Sequence, residues 1–164
     1  MEKTLQVINK LQETGLINKY AIGGAMAATF YVEPILTYDL DIFIILPESI
    51  SLAPLSSIYE YLQNKGYTVE KECILIEGIP VQFLPAYNKL LNEALENADE
   101  VSYGTTATFA LKIEYLSAIC LQTERQKDKE RVRLFKEEAK IDMALLQTIL
   151  RKFGLERKWN EWTT

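Results

Sequence analysis

Residues 20–46, YAIGGAMAATFYVEPILTYDLDIFIIL, are the stretch on which the fold turns. The β-prone Tyr20-Ala21-Ile22 leads into Gly23-Gly24, after which Ala25-Met26-Ala27-Ala28 favours a helix. Asp39 and Asp41 then open the run Ile42-Phe43-Ile44-Ile45-Leu46, β-branched and aromatic, which Pro47 closes. Positions i and i+2 of a strand share a face, so this spacing predicts two carboxylates pointing the same way, with Leu40 turned into the core. Two carboxylates beside a glycine turn at a helix N-terminus suit a divalent cation and a phosphate chain.

Working outward, Leu5, Ile8 and Leu11 recur at helical spacing, with Thr4 as the expected cap and Gly15 as the stop. On the other side, Pro47-Glu48-Ser49 reads as a turn, and Pro54 suits the start of a helix running to about Asn64. Short strands are expected over 67–72, 73–77 and 81–84, with a turn at Gly78-Ile79-Pro80. A helix over 87–96 and a hairpin around Gly104 follow. The last third reads as helical: 114–123, the charged run 124–133, and a helix with Ile141, Ala144, Leu145, Thr148 and Ile149 on its apolar face. Trp159 and Trp162 are expected to pack back onto the domain. The expected fold is α/β (α+β), a small mixed sheet flanked by helices. Residues 1–113 form its core and residues 114–164 a helical subdomain.

Composition bounds the chemistry. The chain has 164 residues, 48% of them hydrophobic and 25% charged, as in an ordinary globular protein. Its net charge of −5 argues against non-specific nucleic-acid binding. No apolar run has the length of a membrane helix, and MEKTLQVINK lacks the apolar region of a secretory signal. Cys73 and Cys120 form no CxxC and sit in apolar surroundings, which suits reduced thiols and a cytoplasmic location. Histidine is absent, which removes Ser-His-Asp and Cys-His catalysis and His-ligated zinc or iron. Carboxylates, lysine, arginine, tyrosine and hard metal ions remain.

The order Ile22-Gly23-Gly24, then Thr37-Tyr38-Asp39-Leu40-Asp41-Ile42, then Arg125-Gln126-Lys127-Asp128 resembles the nucleotidyltransferase superfamily of DNA polymerase β. The likeness is greatest to its small bacterial toxin and abortive-infection-type members, and runs over most of the chain. It implies transfer of a nucleoside monophosphate from an NTP to a hydroxyl of RNA, a protein or a small molecule. Asp39 and Asp41 would hold Mg²⁺ or Mn²⁺, Gly23 and Gly24 would cradle phosphates, and Arg125 or Lys127 would contact the triphosphate.

Several positions depart from that pattern. The third carboxylate of active relatives corresponds to Gln82, and an amide is neither a general base nor an anionic metal ligand. Glu70, Glu72 or Glu77 on a neighbouring strand is a candidate replacement. Ala25 stands where many relatives carry Ser, Ile35 where many carry Arg, and Cys120 where a Lys is frequent. The alternative is therefore a nucleotide-binding module without turnover, or a partner in a toxin–antitoxin-type pair, acting with another protein or a second copy of itself. Arg125, Lys129 and Arg133 share one helical face that suits an anion such as triphosphate or RNA. Tyr31 and Tyr38 are expected in the core rather than on a base.

Overall fold

The structure, a computed structural model, describes residues 1–48 and 53–164. It opens with α1 (Glu2–Glu13), β1 (Lys19–Ile22), α2 (Gly24–Ala28) and β2 (Leu40–Ile45). Next come α3 (Ser56–Asn64), β3 (Thr68–Glu70), β4 (Cys73–Ile76), β5 (Ile79–Pro85) and α4 (Lys89–Glu96). The hairpin β6 (Asp99–Tyr103) and β7 (Thr106–Ala110) precedes α5 (Ile113–Thr123), α6 (Gln126–Glu138), α7 (Met143–Phe153) and α8 (Glu156–Thr163). The expected turn at 47–49 runs into residues 49–52, outside the described residues.

The described strands form one mixed sheet in the order β3-β4-β5-β2-β1-β7-β6. β2 is central: it runs antiparallel to β1 and parallel to β5, with Asp41 paired to Gln82. Its residues alternate, Leu40, Ile42 and Ile44 being buried while Asp41, Phe43 and Ile45 are half-buried, as period-2 geometry requires. β3, β4 and β5 form an antiparallel meander. The turn before β5 is Glu77-Gly78, with φ of 51° and 78°, a pair of positive values that fits a type I′ hairpin. Ile79 and Pro80, expected in that turn, instead begin the strand. Pro80 is tolerated because β2 pairing starts one residue later, at Val81, so its missing N–H interrupts no ladder bond there.

Two further expectations shift. Thr4 lies inside α1 rather than capping it, and its hydroxyl donates to the Ile76 carbonyl at 3.1 Å, fastening the helix to β4. α7 buries Leu146, Ile149 and Leu150, so its apolar face is rotated from the expected one and leaves Ala144 and Thr148 exposed. α5 is buried on most of its circumference because α4, α6 and α7 all pack on it. Trp159 is buried on α8, and Trp162 packs partly against the core.

Candidate functional site

β1 and β2 bring the glycine turn against the aspartates. The Gly23 N–H donates to the Asp41 carbonyl at 2.9 Å, extending the β1–β2 pairing into the turn. A Cβ on Gly23 would strike the Phe43 ring, and one on Gly24 would strike the Asp41 carboxylate. Gly24 also has a φ of +56°, a conformation other residues resist. Both glycines are thus demanded by side chains of β2.

The two aspartates are less alike than their spacing implies. β2 begins at Leu40, so Asp39 sits just ahead of the strand and is exposed, its carbonyl held by the Thr37 hydroxyl at 3.0 Å. Asp41 lies within the strand and lines a cavity. Burial raises the Asp41 carboxyl above its ordinary range and Asp39 raises it further, while Arg125, Lys127 and Arg131 pull it back. One divalent cation would relieve that repulsion, and Mg²⁺ is commonly held by one or two carboxylates together with substrate phosphates. The pair therefore fits a single ion. Among the described residues, no three His, Cys, Asp or Glu side chains gather into a metal-holding group.

Gln82 stands beside Asp41 in the parallel register, and its Nε2 donates to Glu72 Oε2 at 3.3 Å. Glu72 lies in the two-residue turn between β3 and β4, next to Lys71, whose φ is 55°. Of the three acids considered as replacements, Glu72 joins Asp41 and Gln82 in lining the same cavity. Glu77 instead accepts from the Tyr67 hydroxyl at 2.8 Å, and Glu70 lines a second groove with Asp39, which Glu72 also borders.

The cationic wall is organised by Asp128, which is completely buried. Arg125 donates to it from its backbone N–H at 3.0 Å and from Nε at 2.9 Å, so the Asp128 carboxylate satisfies the N-cap N–H at the start of α6. Arg131, one turn further on, approaches the same carboxylate at 3.7 Å. Arg125 and Arg131 both line the cavity, whereas Lys127 is exposed to one side of it. Arg131 escaped the sequence reading, although the i, i+3, i+6 series Arg125-Asp128-Arg131 carries its signal. The expected cationic face divides: Arg133 donates to the Trp162 carbonyl at 2.8 Å and belongs to the α6–α8 contact. Cys120 is buried on the same cavity wall, where loss of solvent pushes its thiol up to about 12.

The cavity encloses about 460 Å³. Its lining combines the charged Asp41, Glu72, Arg125 and Arg131 with the apolar Phe43, Leu116 and Ile119, and along the paired strands Asp41 and Gln82 are followed by Phe43 and Leu84. Tyr38 is exposed beside Asp39 rather than in the core, whereas Tyr31 packs against the core as expected, its hydroxyl donating to the Leu111 carbonyl at 3.1 Å. Tyr87, expected in a helix, precedes α4 and stands exposed at the lip of the cavity.

No protein-family model matches the chain, and no curated protein matches its sequence. A match in fold comes from the crystal structure of an antigenic nucleotidyltransferase-like protein from Paracoccidioides brasiliensis. It superposes with a TM-score of 0.59 at 12% identity, over 99% of this chain and 92% of that one. The fold is therefore nucleotidyltransferase-like, and at that identity the likeness speaks of fold alone. Among the described residues, no helix is long and apolar enough to cross a membrane.

Proposed function

We propose that this nucleotidyltransferase-like fold binds a nucleoside triphosphate with Mg²⁺ or Mn²⁺ and transfers its nucleoside monophosphate to a hydroxyl. The acceptor is a small molecule, a protein or RNA. One observation carries the reading: Asp41, its carboxyl raised by burial and by the charge of Asp39, lines one cavity together with Arg125 and Arg131, with Lys127 to one side adding its charge. Two acids opposed to a set of cations match a triphosphate bridged to the protein by a single cation. Asp39 and Asp41 would hold that ion, which when bound neutralises phosphate charge.

The chain's own residues account for the rest. Gly23 and Gly24, having no Cβ, let the Phe43 ring and the Asp41 carboxylate pack against the start of α2, which holds Asp41 at the cavity. Arg125 and Arg131, steadied by Asp128, offer donors to the remaining oxygens. In the transfer, the acceptor oxygen bonds to the α-phosphorus while the bond from that phosphorus to the pyrophosphate oxygen breaks. The hydroxyl proton passes to Glu72, the carboxylate nearest in role to the one Gln82 lacks, and pyrophosphate leaves with the electron pair.

The test is a thermal-stability screen of the four NTPs with Mg²⁺ or Mn²⁺, in the native chain and in Asp39→Asn and Asp41→Asn. Ligand binding to the folded state raises the melting temperature by mass action. Stabilisation of the native chain that is lost in both variants is the expected result, and equal stabilisation of all three chains sinks the proposal.

A second reading is favoured by the Asp41–Gln82 pairing itself. With an amide in that place, the domain binds nucleotide without turnover, as a sensor or as one half of a toxin–antitoxin-type pair. Pyrophosphate release by Gln82→Asp but not by the native chain would select it.

A further inference from the structure

We infer that the apolar end of the cavity is the seat of the nucleobase, with Tyr87 as its stacking platform and Gln122 as the donor that reads its edge. The inference rests on the triphosphate reading of the cavity mouth and extends it to the other half of the ligand. A single cavity of about 460 Å³ is lined by Asp41 and Gln82 where β2 and β5 begin to pair, by Phe43, Leu84 and Pro85 further along the same strands, and by Tyr87 just beyond them, with Leu116 and Ile119 adding to the apolar lining. That volume falls within the usual range for small-molecule sites. Its occupant must be anionic at one end and flat and apolar at the other, which describes a nucleotide.

Two features at the lip make the apolar end specific. Tyr87 leaves 84% of its surface in water while lining the cavity, so it has a ring face to offer and little role in the core. Gln122 lines the same cavity, and its carbonyl accepts from Asn88 Nδ2 at 2.9 Å. Asn88 is itself immobilised as the N-cap of α4, accepting from the Leu91 N–H at 2.8 Å. Among the described residues the Gln122 amide nitrogen donates to no partner, so its N–H groups are left for a ring nitrogen or carbonyl of a base. Tyr38, the other exposed tyrosine, lines a different groove with Asp39 and takes no part.

Titration calorimetry with the Mg²⁺ complexes of ATP, GTP, CTP, UTP and inorganic tripolyphosphate tests this. Stacking of a base on an aromatic side chain is worth enough that Tyr87→Ala should weaken the preferred NTP by about tenfold, while Tyr87→Phe holds it. Ile119→Trp, which fills the apolar end, should weaken the same NTP, and all three variants should bind tripolyphosphate as the native chain does. Unchanged NTP affinity in Tyr87→Ala and Ile119→Trp overturns the inference, as does an equal loss for tripolyphosphate. A native chain that binds tripolyphosphate as tightly as every NTP overturns the base seat and leaves the phosphate mouth standing. Binding of neither overturns both.

Discussion

Asp41 and Gln82 stand side by side on the parallel strands β2 and β5, and the Gln82 amide turns to the Glu72 carboxylate rather than leaving an acid next to Asp41. The sheet thus puts a neutral group directly beside Asp41. The negative charge that remains nearby comes from a turn instead of a strand.

Gln82→Asp is therefore expected to behave differently with and without metal. A like charge directly across the ladder from Asp41 should cost about 1 kcal/mol in the absence of a divalent ion. Added Mg²⁺ should return that loss and stabilise the variant more than it does the native chain. Thermal denaturation with and without Mg²⁺ measures both effects, and an equal Mg²⁺ response in the two chains would show that position 82 does not face the ion.

The glycine turn permits a controlled comparison. Gly24 and Gly15 both have positive φ, at +56° and +78°, but only Gly24 has a neighbour in the way of a Cβ, the Asp41 carboxylate. Alanine at either position should lose about 1–2 kcal/mol through backbone strain. Gly24→Ala should lose more, and should also lose nucleotide-dependent stabilisation, because Asp41 must move. Urea denaturation and the NTP screen separate the two variants.

Asp128 supports the cationic wall from beneath. Asp128→Ala removes the acceptor of the N-cap N–H of α6 and the partner of both arginines, which should cost about 2–3 kcal/mol in urea denaturation. The figure is held down because the Arg125 side chain is 50% exposed and water can take over its charge. Asp128→Asn keeps the shape and should recover part of the stability, while nucleotide affinity stays low in both. Native-like affinity in Asp128→Ala would mean that the arginines need no support.

Cys120 predicts a pH dependence. Its thiol stays protonated in the folded chain up to about 12, against an ordinary value of 9.0, chiefly because it is buried. The folded state keeps a proton that the unfolded state releases, so this group's contribution to stability is full below about pH 9 and falls as pH rises towards 12. Iodoacetamide at pH 9 should modify half-exposed Cys73 first and reach Cys120 only on unfolding, as mass spectrometry of timed aliquots would show.

The strand, glycine turn and helix of residues 20–28, and the apolar run after Asp41, were legible because each depends on neighbours a few positions away. Alternating β-branched residues can bury one face only as a strand, and Gly23-Gly24 marks a sharp change of direction. The absence of histidine likewise restricted the chemistry before any fold was known. Where only local period was available, the reading slipped. The buried stripe of α7 keeps Ile149 but shifts to Leu146 and Leu150, because 3.6-residue spacing fixes a stripe and not the partner it meets. Tyr38 was sent to the core because an aromatic beside an apolar strand usually goes there.

Long-range packing governed everything that joins these pieces. That Gln82 faces Asp41 follows from the β2–β5 register, set by how Leu40, Ile42, Val81 and Phe83 bury together, not by either segment alone. The charged run looked like a continuous solvated or anion-binding surface. Folding buried Asp128, turned Arg125 and Arg131 toward the cavity and sent Arg133 to the end of α8. A buried carboxylate needs opposing charge, and helix packing determines which cations can reach it. Local sequence thus specifies the carboxylates and the glycines that pack against them. The shape of the cavity they open onto, and the cations that face them, belong to contacts between residues some forty to ninety positions apart.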